Sequence, residues 1–400
     1  MMPALASVEV GFEIEVVTSE ARVEEIRGEW DALVARAACR ASEVYDWAIG
    51  GWRLMTAAQG RRLSLILARR CGRLVGMWPL SCTEERFWRV LRPLGPETVE
   101  FSDMLVETGD DEDAVGRALW RAAAGLGDVA ILPHVREGCV LGRIVAQLGG
   151  LATRDVMPTR WIEFAGSDRF SSFLADVSPE NRVTERRMRR GLHRLGRLEL
   201  VELDDPDERA AAVDRILALK LAWLLDPALN HQWQDTTWIQ TDGYRALLLQ
   251  LARLDRADAP LRVHELRLDG AMIAAGFCLV TPAWTQFNLT YYDPAFRRKS
   301  PGIVLLLDLI RVAAEAGGNF DFSIGDRDYK AIWSNRSCDA ATYHVVLRSR
   351  GAALVAAEWL RLARLRGRSR YRQLRAWGIE RGAKPVLARL GAKRRHSSDT

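Results

Sequence analysis

Tyr291-Tyr-Asp-Pro-Ala-Phe-Arg-Arg-Lys-Ser-Pro-Gly302 is followed by an apolar helical run, Ile303 to Ala316, and then by Asn319-Phe-Asp-Phe-Ser-Ile-Gly-Asp-Arg-Asp-Tyr-Lys-Ala-Ile-Trp333. Arg297, Arg298 and Lys299 stand just ahead of Ser300, Pro301 and Gly302, where a turn gives way to a helix. The first amides of a helix have no partner inside it, and its dipole is positive at that end. Free N–H groups, dipole and three cations acting on one small volume suit a phosphate or pyrophosphate. An ordinary turn before a buried helix, with solvated basic residues, fits these residues equally well.

The residues after the helix favour the anion site. Gly317-Gly318 ends the helix, and Phe320, Asp321, Phe322, Ser323 and Ile324 alternate as a short strand that Gly325 breaks. Strand, phosphate loop, helix and strand form a nucleotide-type arrangement. With Asp326 as a cap, Asp326, Tyr329 and Lys330 fall on one face of a short helix and point back over the same pocket.

Residues 297–302 resemble the pyrophosphate loop of the GNAT acyltransferases, Arg/Gln-x-x-Gly-x-Gly/Ala, with Arg297, Ser300 and Gly302 at its positions. Ser-Pro-Gly, the apolar helix, Phe-Asp-Phe-Ser-Ile-Gly-Asp and Tyr-Lys-Ala-Ile-Trp further resemble the CelD-type, FemAB-like branch, often linked to cellulose or exopolysaccharide production. The resemblance implies an α/β (α+β) fold of mixed, mostly antiparallel sheets flanked by helices. It also implies acyl-CoA, such as acetyl-CoA, as co-substrate, with its pyrophosphate on Arg297, Arg298, Lys299, Ser300, Pro301 and Gly302.

The 400 residues are 48% hydrophobic, enough to bury a large core and long enough for two or three domains. Cys39, Cys71, Cys82, Cys139, Cys278 and Cys338 are scattered without C-x-x-C, so neither a disulfide framework nor a zinc site is suggested, and no metal is expected. Glu9, Glu13 and Glu15 interrupt any signal-like run, and no apolar run approaches a spanning length. The expectation is a cytoplasmic protein that can rest on a membrane. The net charge is +5, yet residues 351–400 hold 13 Lys/Arg against 3 Asp/Glu, so the tail supplies the basic character.

Alternation and helical periodicity then order the chain. The first half reads strand (12–16), helices (20–37, 44–57), hairpin (63–80), strands near 87–91 and 104–106, helix (113–124), strand (129–132), helix (139–148) and strand (159–164). The second reads strand (198–202), helices (207–225, 237–254), hairpin (261–280), strand (284–290), the helix from Ile303, strand (320–324), a short helix at Tyr329 and strand (341–347). Both keep the GNAT order, which predicts tandem domains over 1–165 and 197–349, a basic linker helix over 166–196 and a basic C-terminal region over 350–400. The linker contains Arg182, Arg186, Arg187, Arg189 and Arg190 and resembles the Arg/Asn-rich segment ahead of the family's second domain. Arg182 is assigned to substrate on that basis.

Where the second half has its basic loop, the first has Gly109-Asp110-Asp111-Glu112-Asp113, which caps a helix but repels phosphate. The first half is therefore expected to shape an acceptor groove without binding CoA. Asp103, where the family often has an acid, is its candidate for that groove; a strand-end turn is its plainer role. In GNAT enzymes a tyrosine on the helix after the second strand of the splay often protonates the leaving thiolate, and Tyr329 matches it. Asp321 and Asp326 are candidate bases or positioners of the acceptor, with a bond within the sheet and a helix cap as their plainer roles. His264 suits a base by chemistry alone, although a lone strand histidine is more often a satisfied core or surface residue, and Lys330 suits an anionic substrate or a pair with Asp326.

From Ala352 to Trp377 the sequence reads as one basic helix with interspersed aromatics, suited to an anionic membrane surface, to RNA or to its own core. Direct acyl transfer to a sugar or polysaccharide precursor is the leading expectation. A Fem-like aminoacyl transfer from tRNA is the second. A catalytically silent scaffold in a polysaccharide synthesis or export complex is the third, because Ser300 stands where the loop pattern has its first glycine.

Overall fold

The computed structural model describes residues 7–9, 11–95, 101–109, 111–148, 151–152, 156–226, 238–357 and 360. The first half runs through β1 (Ser7–Glu9), β2 (Phe12–Val17), α1 (Glu20–Glu25), α2 (Arg27–Val34), α3 (Tyr45–Gly51), β3 (Arg62–Leu63), β4 (Leu65–Arg70), β5 (Arg73–Trp78), β6 (Leu80–Glu85), β7 (Trp88–Pro93) and β8 (Leu105–Val106). It continues with α4 (Glu112–Leu126), β9 (Val129–Arg136), α5 (Val140–Leu148), β10 (Leu151–Ala152) and β11 (Met157–Ile162). Helices α6 (Arg169–Asp176) and α7 (Pro179–His193) connect the halves. The second half comprises β12 (Leu198–Glu202), α8 (Pro206–Leu225), α9 (Asp242–Ala252), β13 (Leu261–Leu268), β14 (Ala271–Val280), β15 (Trp284–Tyr292), α10 (Pro301–Glu315), β16 (Asn319–Ile324), α11 (Asp328–Ile332) and β17 (Arg336–Val346).

Each half wraps helices around both faces of its strands because successive side chains point to opposite faces. In β4, Leu65 and Leu67 enter the core under α1 to α3, while Ile66 and Ala68 enter the one under α4. In β14, Ala275, Phe277 and Leu279 face α8 and α9, and Ala274 and Cys278 face α10. Trp47 of α3 joins the second half's core and meets Tyr244 of α9 edge-on at 6.4 Å. A β-carbon at Gly50 would lie 2.9 Å from Leu247, so glycine there permits the close approach of α3 and α9.

The sheets do not divide at the midpoint of the chain. One has five strands, β1-β2-β4-β5-β8; the other has twelve and runs β12-β13-β14-β15-β16-β11-β17-β9-β7-β6-β3, with β10 beside β17. β11, the last strand of the first half, pairs with β16 of the second, and β17, the last of the second, pairs with β9 of the first. The two halves thus exchange their closing strands, which also pair with each other.

Several expected bounds shift. The helix expected over 20–37 is interrupted at Ile26, which ends α1 and precedes α2. β17 begins at Arg336, five residues before the expected strand, because its early residues pair with β11. Of the expected basic helix over 352–377, residues 352–357 are helical and all but one of the rest lie outside the described residues. Among the described residues no helix is long and apolar enough to cross a membrane.

Candidate functional site

β15 and β16 run parallel and pair only from Trp284 to Gln286 against Asn319 to Asp321. Beyond that β15 and β16 no longer pair, while the other edge of β16 stays paired with β11 as far as Ile324. An irregularity in the β14–β15 register, which leaves Asn288 unmatched, bends β15 at the divergence. Ser323, in a left-handed conformation (φ 59°), ties the strands by donating its hydroxyl to the Phe287 carbonyl at 2.8 Å.

A cavity of about 390 Å³ opens in this splay. Phe287, Thr290, Tyr291 and Tyr292 of β15, Ser300, Gly302, Ile303 and Leu306 around the start of α10, and Tyr329 of α11 line it. Among the described residues its charged lining is Lys220, Arg297 and Arg327, with no carboxylate. Ser300 turns the chain into α10 through a left-handed conformation (φ 52°), and its carbonyl accepts from Ile303 and Val304. Since Pro301 has no N–H, Gly302 is left as the backbone donor of that turn. A β-carbon on Gly302 would come within 3.2 Å of the Tyr292 ring, so the loop sits tightly on β15.

The other sequence candidates fall differently. Arg298 and Lys299 are exposed and outside the cavity lining; Lys299 lies against Gly191 of α7. Asp326 does not cap the short helix: α11 starts after Arg327, and the exposed Asp326 lies 3.8 Å from Arg160. Lys330 shares neither a pocket nor a pair with it, because its buried ammonium donates to the carbonyls of Ser323 (3.4 Å) and Ile324 (2.5 Å) and fixes the end of β16. Arg182, on α7, is not among the residues lining the cavity.

Asp321 is fully buried and accepts from Arg40 Nε (2.7 Å), from Arg136 Nη2 (2.6 Å to Oδ2) and from the Ser323 amide (2.8 Å). Burial alone would raise its carboxyl; the guanidiniums of Arg136 and Arg40 outweigh it and hold the group below the usual carboxylate range. Both arginines come from the first half, so Asp321 braces the two halves and is a poor proton acceptor. His264 is buried in β13, 3.5 Å from Glu202, away from the cavity lining.

Three residues of the site, Lys220, Trp223 and Arg327, escape the sequence reading. The ammonium of Lys220 stands 4.6 Å from the centre of the Trp223 ring. Burial, and then the charge of Arg327, lowers Lys220 to about 8. Lys220 sits one helical turn before Trp223 on α8, a spacing that reads as ordinary amphipathicity until the sheet places α8 over the splay. Because the folded pKa is depressed, Lys220 binds fewer protons than in the unfolded chain between about pH 8 and its ordinary value. Its contribution therefore makes stability rise with pH across that window. An anion entering the cavity would restore the proton. CoA titrated near pH 8.5 in buffers of different ionisation enthalpy is expected to show net proton uptake, which Lys220→Met removes.

The first half repeats the splay. β8 lies in the five-stranded sheet and β9 in the twelve-stranded one, and a second cavity, of about 440 Å³, opens between them. Asp103 lines it, accepting from the amides of Met104 (2.8 Å) and Leu141 (2.9 Å), so it both closes the strand end and caps α5. Burial raises its carboxyl. The acidic start of α4 is already paired: Arg143 holds Glu112 and Asp113 at 2.7 Å each, and Arg70 holds Asp111.

Residues 182–331 match the acetyltransferase (GNAT) domain family. The match spans α7 to α11 and so contains the cationic cavity. Among solved structures, the chain is similar to FemX at 12% identity and a TM-score of 0.58, over 82% of this chain and 98% of that one. It is similar to a conserved protein of unknown function from Bacteroides thetaiotaomicron at 11% identity and a TM-score of 0.52, over 82% and 99%. A tandem GNAT protein from the clavulanic acid biosynthesis pathway aligns at 18% identity and a TM-score of 0.44, over 84% and 99%. No curated protein matches the sequence. At these identities the structural likeness speaks to fold alone, a mixed α/β architecture.

Proposed function

We propose that the second half transfers an acyl group, acetyl in the simplest case, from acyl-CoA to an amine or hydroxyl by direct attack. The observation that carries this is the splay cavity's lining of three cationic side chains and no carboxylate, among the described residues, at the start of α10. Arg297, Ser300 and the Gly302 N–H would hold the pyrophosphate, with Lys220 and Arg327 adding charge on the opposite wall. The acceptor attacks the thioester carbonyl, the C–S bond breaks, and Tyr329 gives its phenolic proton to the departing thiolate. With no carboxylate in the described lining to act as base, the acceptor's proton passes to solvent. A sugar or polysaccharide precursor as acceptor rests on the CelD-type resemblance.

Calorimetric titration with CoA and acetyl-CoA tests the reading. Wild-type protein is expected to bind both, and Arg297→Glu, at an exposed position that should not disturb folding, is expected to weaken binding at least a hundredfold. Arg298→Glu should weaken it far less, since Arg298 is outside the cavity lining. Absence of wild-type binding at millimolar CoA would overturn the proposal and turn the search to aminoacyl-tRNA.

A further inference from the structure

We infer that the first-half cavity, between β8 and β9, is a binding site for a small zwitterion: a molecule carrying a carboxylate and an ammonium on an apolar body. At its floor lies Arg136, only 7% exposed, with Nη2 on Asp321 and with Nε and Nη1 unpartnered. The buried indole N–H of Trp284 in the same lining is also unpartnered. Buried donors left without acceptors cost free energy that an incoming carboxylate would recover.

The other polar side of the cavity is the reverse. Glu43, 3% exposed, accepts from the Arg40 amide (2.7 Å) and lies 2.5 Å from the Ser42 hydroxyl, with no cationic side chain among the described residues hydrogen-bonded to it. Burial, and then the charge of Asp103, pushes it up to about 7. Two carboxyls that repel each other, Glu43 buried and Asp103 half-buried, beside an unfilled volume suit an ammonium. The remaining charged groups of the lining are largely committed: Arg40 to Asp321, Arg143 to Glu112, Glu163 to Arg336, while Glu137 is exposed.

Aromatic rings of the lining stand against the arginines. The Arg136 guanidinium stands 3.6 Å from the centre of the Phe101 ring and 5.5 Å from that of Trp161, and Arg40 lies 3.4 Å from the Trp284 ring. An apolar body would fill that space while its two charged ends met opposite partners. This cavity is separate from the transferase splay, so binding here stands or falls independently of CoA.

The test compares three probes on the full chain by ligand-observed NMR and calorimetry: phenylalanine, 3-phenylpropionate without the ammonium, and phenethylamine without the carboxylate. Phenylalanine is expected to bind at least tenfold more tightly than either. Glu43→Gln, which keeps the shape of the side chain, should remove that advantage over phenylpropionate. Ala38→Trp, at an exposed rim position, should abolish binding without touching the buried charges. Failure of phenylalanine to bind, equal binding of the three probes, binding unchanged in Ala38→Trp, or displacement of phenylalanine by CoA would each overturn the site.

Discussion

Asp321→Asn is expected to destabilise the protein by about 3–5 kcal/mol, the cost of removing one member of a buried charge pair. The asparagine keeps nearly the same shape, so the loss would come from two guanidiniums, Arg136 buried and Arg40 half-buried, left without a counter-charge. Urea unfolding at neutral pH checks the magnitude. Acid gives an independent readout. The folded Asp321 carboxyl is held below its ordinary range, so the stability it confers is fully present above the unfolded value and is lost as pH falls through the folded one. The wild type should therefore lose more stability on acidification than the variant. A double-mutant cycle with Arg136→Met should show strong coupling, because removing both partners strands less charge than removing one. If Asp321 were a catalytic base, the asparagine variant would keep its stability and lose only turnover.

Tyr329→Phe is expected to lower kcat by about 10²- to 10⁴-fold, the usual contribution of a positioned acid or base. CoA affinity should hardly change. The ring meets Phe322 edge-on at 6.5 Å, and phenylalanine preserves that contact, so the variant removes the hydroxyl and little else. With an acceptor in hand, steady-state kinetics would show the loss in kcat with KM near the wild-type value. An equal loss of CoA binding would instead make Tyr329 part of the cradle.

The loop and helix start that line the second half's cationic cavity are legible in the sequence because their signals are local. Pro301 at a helix start, the preceding basic run and the glycine pair after the helix all act within one turn of their neighbours. Ser300 shows the limit of such reading: a left-handed conformation at a non-glycine residue is set by how the loop closes on Tyr292, which no pattern displays. Asp321 shows it more sharply. In sequence it is a polar residue within an apolar strand, equally fit for catalysis or for the sheet, and the arginines that decide its role lie 281 and 185 positions away. Lys330 likewise reads as facing a ligand because of its helical spacing, whereas backbone carbonyls at the end of β16 claim it. Lys220 and Arg327 carry no local signature, and only the packing of α8 across the splay brings them together.

The exchanged closing strands bear on any attempt to work with half the molecule. A fragment ending near residue 165 would carry β11 without the β16 edge it completes, and would leave β9 exposed where β17 belongs. The complementary fragment would have the opposite defect. Each piece would present an unpaired edge as a template for aggregation. Expressed together, the same fragments should clasp each other, since each supplies the strand the other is missing. A single cut in the connecting segment ahead of α6 should accordingly leave a nicked molecule that migrates as one species until denaturant is added. Engineering of either unit therefore has to begin from the whole chain, or from a circularly rearranged gene that returns each strand to the sheet it completes.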